Sequence, residues 1–143
     1  MTGTAERPVS LPPQPAPDFD TEGFWEATAR GELAMCRCTE CRLWHQPPLE
    51  RCRRCAGPTA FEAVSGTGEV YSFIVVRQPS VPGYVDEIPY VVAIVELDDQ
   101  EGLRLPTRLV GIEPDDVEVG RRVHVEMTPL PGGDYVVPLF RPE

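Results

Sequence analysis

All five cysteines of this 143-residue chain fall between Cys36 and Cys55, in the stretch CRCTECRLWHQPPLERCRRC. Within it, Cys38-Thr-Glu-Cys41 and Cys52-Arg-Arg-Cys55 form two CxxC pairs with ten residues between them. A CxxC turn points both sulfurs inward, and the amides that follow can donate to them. Two such turns therefore complete a four-thiolate, tetrahedral shell. The reading is a structural Zn²⁺ held by Cys38, Cys41, Cys52 and Cys55; rubredoxin-like iron takes the same ligands, so the spacing leaves both metals open. Two disulfides would require an oxidising compartment. Thioredoxin-like redox chemistry uses one CxxC at the start of a helix in a βαβ setting. Nothing else in the chain supports either.

Cys36 lies outside the paired motif. Two residues before Cys38 on an extended strand, it reads as a small core hydrophobe, with a reserve ligand or reactive thiol as the alternatives. His45 is expected to be exposed or stacked beside Trp44, because four thiolates already satisfy the ion.

The rest of the composition narrows the chemistry. Thirteen basic residues face 23 acidic ones, for a formal charge of −10, and every basic residue is arginine. Without lysine there is no Schiff base, no lysine general base and no Walker-type phosphate lysine. An anionic ligand must be held by arginine, main-chain amides or helix ends. The acidic field works against binding to a phosphate backbone. No run of about 18 apolar residues is present, which argues against a membrane span. The stretch MTGTAERPVSLPPQPAP has no basic start or apolar segment of a secretory signal, so a cytoplasmic location is expected.

Along the chain, residues 1–17 read as a disordered Pro-rich tail. Residues 18–35 read as a helical arm. Asp20 or Thr21 would cap the helix and Gly31 would stop it, with Phe24, Trp25, Thr28 and Ala29 on one face and a Glu26–Arg30 ion pair. Residues 36–58 hold the two knuckles of a ribbon, with Pro47-Pro48 setting the turn. From 59 to 143 the pattern is β: GEVYSFIVVRQ, IPYVVAIVELD, LRLPTRLVGI, RRVHVEMT and DYVVPLF are five runs enriched in β-branched residues. YVVAIVEL is apolar at every position but one, as expected of a central strand. Five short strands in about 80 residues suit a small Greek-key barrel of the OB kind or a compact sandwich.

These features together resemble a known family. The run GELAMCRCTECRLWHQPPLERCRRCAGPTAFEAVSGTGEVYSFIVV, then PYVVAIVELD, RLVGIEPDDVEVGRRVHVEM and a final PLFRP, is similar to a domain first catalogued only as being of unknown function. The resemblance covers residues 18–142. It implies a mainly β protein with an N-terminal helical arm, a rubredoxin-like zinc ribbon and a C-terminal five-stranded OB-fold barrel. Members of that family typically partner thiolase-like enzymes acting on acyl-CoA, including aldolases that shorten steroid side chains, and catalytic residues come from the partner. The resemblance thus implies a non-catalytic subunit of a hetero-oligomer that binds or channels acyl-CoA.

Residue chemistry offers candidates for that role. Arg37, Arg42, Arg51, Arg53 and Arg54 crowd the ribbon, where guanidinium forks could grip CoA phosphates. The alternative is that they offset the charge of four thiolates and one Zn²⁺. Phe24, Trp25, Trp44 and Tyr84 are candidate partner contacts, and PSVPGYVDEIPY is a candidate contact loop at the barrel mouth. A nucleic-acid-binding OB module is the competing reading, but residues 62–143 carry six arginines against fifteen acidic residues. Intrinsic catalysis finds no support. Only His45 and His124 could serve as a base, and a closed four-cysteine shell has no open coordination position.

Overall fold

The computed structural model describes residues 10–143. The first nine positions of the expected tail lie outside the described residues. Ser10 to Pro17 runs irregularly along the barrel: Pro12 is buried, and the Gln14 amide donates to the Pro131 carbonyl at 2.9 Å.

Helix α1 spans Glu22–Ala29. Its start is organised by Asp18, whose carboxylate accepts from the amides of Asp20 and Thr21 and from the Thr21 hydroxyl. Thr21 occupies the cap position without a side-chain cap bond. Gly31, at φ 81°, ends the helix: its amide donates to Thr28 and that of Glu32 to Ala27, the paired bonds of a left-handed C-terminal cap. The face differs from expectation at one residue. Ala27 and Thr28 are buried and Ala29 is exposed, because Gly23 brings the helix against the Phe61 ring and rotates Ala27 inward. Arg30 lies 3.7 Å from Glu32 rather than pairing with Glu26.

Two sheets follow. β1 (Ala34–Cys38) lies between β2 (Trp44–His45) and β3 (Thr59–Ala63), both antiparallel to it. β3 starts where the barrel was expected to begin, yet its hydrogen bonds run to the ribbon. The remaining five strands are β4 (Thr67–Val76), β5 (Tyr90–Leu97), β6 (Arg104–Leu109), β7 (Arg122–Pro129) and β8 (Val136–Pro142). They close into a barrel in the order β4-β5-β6-β8-β7, with β7 returning to β4. That is the OB architecture, and each strand coincides with one of the five apolar runs. Its interior is a single cluster including Val70, Val91, Val95, Val123 and Phe140, joined from the ribbon side by Leu33, Met35 and Trp44.

β5 is central, as its composition implies, but its two faces have different fates. Val91, Ala93, Val95 and Leu97 point into the core, whereas Ile94 is 37% exposed and Ile74, diagonal to it on β4 as the partner of Val92, is 62% exposed. These two side chains make an exposed apolar spot on the outer face of β4–β5, beside the Arg104 guanidinium that stacks on Tyr71 and pairs with Glu96.

The barrel has one weak seam. β6 and β8 are parallel and share a single register pair, Leu109 with Phe140, where the Val110 amide donates to the Phe140 carbonyl at 2.9 Å. Stepping back by two along β8 from Phe140, the next amide aimed across this gap belongs to Pro138, which has no N–H to give. There the Thr107 hydroxyl donates to the Pro138 carbonyl instead.

Candidate functional site

The two knuckles have the same local geometry, fourteen residues apart. The Cys38 amide donates to the Leu43 carbonyl and the Cys52 amide to the Gly57 carbonyl, both at 2.9 Å. The residue after each second cysteine, Arg42 or Ala56, is left-handed at φ 71° and 61°. After the second of these, the Gly57 amide donates to Cys55 Sγ at 3.4 Å. Within the CxxC turns themselves, Glu40 and Cys41 donate to Cys38 Sγ and Arg54 to Cys52 Sγ, at 3.3–3.4 Å.

All four sulfurs lie within 4.8 Å of one another, with Cys38–Cys55 at 3.4 Å and Cys41–Cys52 at 3.5 Å. A tetrahedron with metal–sulfur bonds of about 2.3 Å has edges of about 3.8 Å, so the cluster fits a four-coordinate ion. The electrostatics agree. The Leu43 amide, then Arg54, bring the Cys41 thiol down to about 6. Burial opposes ionisation of Cys38, but the Cys41 and Glu40 amides outweigh it and lower that thiol too. At Cys55 the Gly57 amide favours the thiolate, yet the contact with Cys38 and burial push it up to about 12. Four adjacent thiols cannot all ionise without a cation among them, and these amides are set to stabilise the thiolates once one binds. With four protein ligands such a shell has no position for water, so it can organise the fold but not activate a nucleophile.

Cys36 is not part of the cluster. It is buried, with its sulfur 3.5 Å from the Leu49 carbonyl. His45 departs from expectation. Instead of lying exposed or stacked it is fully buried opposite Cys36, and neither ring nitrogen has a partner. Burial, then Arg53 and Arg54, lower its basicity, so it is neutral.

The five ribbon arginines divide. Arg37 and Arg42 both engage Glu62, at 3.4 and 2.6 Å, and Arg37 lies 4.4 Å over the Trp44 ring. Arg54 donates to the Cys41 carbonyl. Arg51 and Arg53 are exposed, and among the described residues neither has an ion-pair partner.

Of the four aromatic candidates for partner contact, Trp44 is corrected outright. It is 3% exposed, because Gln100 in the β5–β6 turn accepts from its amide at 3.0 Å and donates to its carbonyl at 3.2 Å, seating the ribbon on the barrel. Phe24 packs against the core cluster, and Trp25 meets Tyr135 edge-on at 5.7 Å. Tyr84, in the loop before β5, lies 5.5 Å from Tyr90, with the Arg108 guanidinium near both rings. Gln100 carried no signal in the sequence beyond its place in a turn.

The fold and sulfur cluster define a class: a zinc-ribbon-like module carried on an OB barrel. A family model described as "ChsH2, C-terminal OB-fold domain" matches residues 61–128. Among solved structures, one described as "Ltp2-ChsH2(DUF35) aldolase" superposes with a TM-score of 0.82 at 38% identity, covering 90% of this chain and 98% of that one. The chain belongs to the DUF35 family. It is also 40% identical, over 97% of its length, to a probable enoyl-CoA hydratase alpha subunit of Thermomonospora curvata. Over 82% of its length it is 33% identical to the 3-oxo-4,17-pregnadiene-20-carboxyl-CoA hydratase alpha subunit of Mycobacterium tuberculosis. It spans about four-tenths of the length of these two curated relatives, 42% and 37%.

Proposed function

We propose that this chain is a non-catalytic accessory subunit that supports a partner enzyme acting on acyl-CoA, the partner being a thiolase-like aldolase of steroid side-chain degradation. The observation that carries this reading is the match, over 90% of this chain and 98% of that one, to a chain of the Ltp2–ChsH2(DUF35) aldolase. Two features of the molecule support it. The sulfur shell leaves no open coordination position, and His45 is sealed from solvent. The β4–β5 outer face keeps Ile74 and Ile94 uncovered, as a subunit that docks would. Within this reading the four cysteines hold Zn²⁺ as a structural ion, and Arg51 and Arg53 are the ribbon cations free to meet CoA phosphates.

The test is co-purification from the native host. A stable heteromer with a thiolase-like chain is expected, its activity on an acyl-CoA requiring both chains, with about one zinc per copy of this chain by elemental analysis. Turnover by this chain unaided would overturn the reading. A red protein with visible absorption would replace zinc by iron.

A further inference from the structure

Ser10–Pro15 form a strap that crosses between the loop before β5 and the β7–β8 turn, and three glycines of those two loops take it in. A β-carbon on Gly83 would fall on the Pro12 nitrogen and the Leu11 carbonyl carbon. One on Gly133 would lie 2.5 Å from Gln14 Oε1, and one on Gly132 would lie 3.1 Å from Leu11 Cδ1. The seat is cut to the strap.

What holds the strap there is thin. Pro12, Pro13 and Pro15 have no N–H to give, and among the described residues no main-chain hydrogen bond joins the strap to the barrel. Its one bond to the barrel runs from Gln14 Nε2 to the Pro131 carbonyl, at an exposed position. Leu11 is 51% exposed, and Pro12 is the one buried residue of the strap. A segment with so few buried contacts opens far more readily than the core. Its prolines keep it extended whether seated or lifted.

The strap also divides a space. Leu11 and Pro12 border a hollow of about 730 Å³, and Pro13–Pro15 border one of about 570 Å³. The two share a floor that includes Thr107, Arg108, Leu130, Val137 and Leu139. On that floor Arg108 Nε is buried and has no partner among the described residues. The closed arrangement therefore carries an unsatisfied donor, which water would satisfy once the strap lifts.

We propose that Ser10–Pro15 is a movable cover. Seated, it splits and roofs one groove; lifted, it joins the two hollows and opens their common floor. This holds whatever the partner enzyme is, so its failure would leave the accessory-subunit reading to the co-purification.

Titration of the full chain with the fluorescent probe 8-anilinonaphthalene-1-sulfonate tests it, because the apparent affinity of a guest scales with the population of the open state. Gly83→Ala, whose methyl group displaces Pro12, should tighten saturable probe binding about fivefold or more. Gly102→Ala is the control: Gly102 is left-handed to the same degree, at φ 82° against 87°, but has nothing within 4 Å of its would-be β-carbon. It bears the same backbone strain and should bind the probe as the wild type does. Adding Val137→Phe to Gly83→Ala fills the floor and should remove the gain. Acrylamide quenching supplies a second readout: Trp25 borders the smaller hollow and should become more accessible in Gly83→Ala, while Trp44, 3% exposed, stays protected. Gln14→Ala, which loosens the strap without backbone strain, should move both readouts the same way by a smaller factor. Near-UV circular dichroism establishes that each variant keeps its tertiary packing. Equal probe binding by Gly83→Ala and Gly102→Ala, a gain that survives Val137→Phe, or Trp25 quenching unchanged in both Gly83→Ala and Gln14→Ala would overturn the proposal.

Discussion

In the barrel, Val70, Val91, Val95, Val123 and Phe140 converge from four strands onto one interior, and burial of apolar surface holds the strands together. The knuckles of the ribbon have no such interior. Between Cys38 and Cys55 the deeply buried side chains are the sulfurs of Cys38 and Cys52 together with Trp44 and His45, and Trp44 belongs to the barrel's own core. A segment this short cannot bury enough surface to order itself, so a metal is the expected source of its stability. One chain thus contains a region whose stability is spread over many contacts and another in which it is concentrated in four atoms.

The largest effect should come from striking the concentrated region. Cys52→Ser removes one ligand from a site of the kind that contributes about 10–16 kcal/mol of folding free energy. The variant should be largely unfolded and aggregating, and a strong chelator should do the same to the wild type. Cys36→Ser, two residues from a ligand but outside the shell, should keep full metal content by elemental analysis. A soluble Cys52→Ser with unchanged melting would show that the ribbon does not depend on its sulfurs.

Next in size is the joint between the two regions. Gln100→Ala leaves both the amide and the carbonyl of Trp44 without their partner. A cost of about 1–3 kcal/mol is expected for part-buried groups so stranded, read as a lower urea midpoint with metal content unchanged. A midpoint within error of wild type would mean that water replaces Gln100 without loss.

These two residues also mark how far the sequence could be read. The knuckles and the five barrel strands were legible, because CxxC spacing and period-two alternation are local signals. The burial of Trp44 was not, since its partner is 56 positions away in a turn. His45 was misread for a related reason: its burial follows from the β1–β2 pairing that sets it opposite Cys36, not from its neighbours. Pro138 was visible as a residue, but only the parallel β6–β8 topology sets it in the seam, beside Thr107. YVVAIVEL was correctly central, while its outer face leaves Ile94 exposed rather than building a second core.

A smaller effect, of opposite sign, lies in the second knuckle. Ala56 is held at φ 61°, where a β-carbon costs about 1–2 kcal/mol and glycine costs nothing. Ala56→Gly gains that back, less about 0.4–1 kcal/mol for the freer unfolded chain. The net expectation is a stabilisation of up to about 1.6 kcal/mol, seen as a higher melting temperature. Destabilisation would show that the methyl group makes a contact that outweighs its strain.

The smallest effect belongs to the barrel's surface, where no single contact should matter much. Asp98 accepts from both terminal nitrogens of Arg122 and from the Thr67 hydroxyl, tying the end of β5 to β4 and β7. The Arg122 hydrogen bonds, then that of Thr67, hold its carboxyl down at about 2, against an ordinary 3.8. Since the folded value is the lower one, the stabilisation is complete above about pH 4 and is lost as pH falls toward 2. Both side chains are more than a third exposed, so solvent screening limits the pair to about 0.2–1 kcal/mol. Comparing the wild type with Arg122→Gln cancels the other carboxylates that titrate in the same window. The stability gap between them should be a few tenths of a kcal/mol at pH 5 and should close by pH 2. A gap that stays constant across that range would mean that Arg122 contributes through packing of its stem, and that even the distributed half of this molecule has contacts whose charge is incidental.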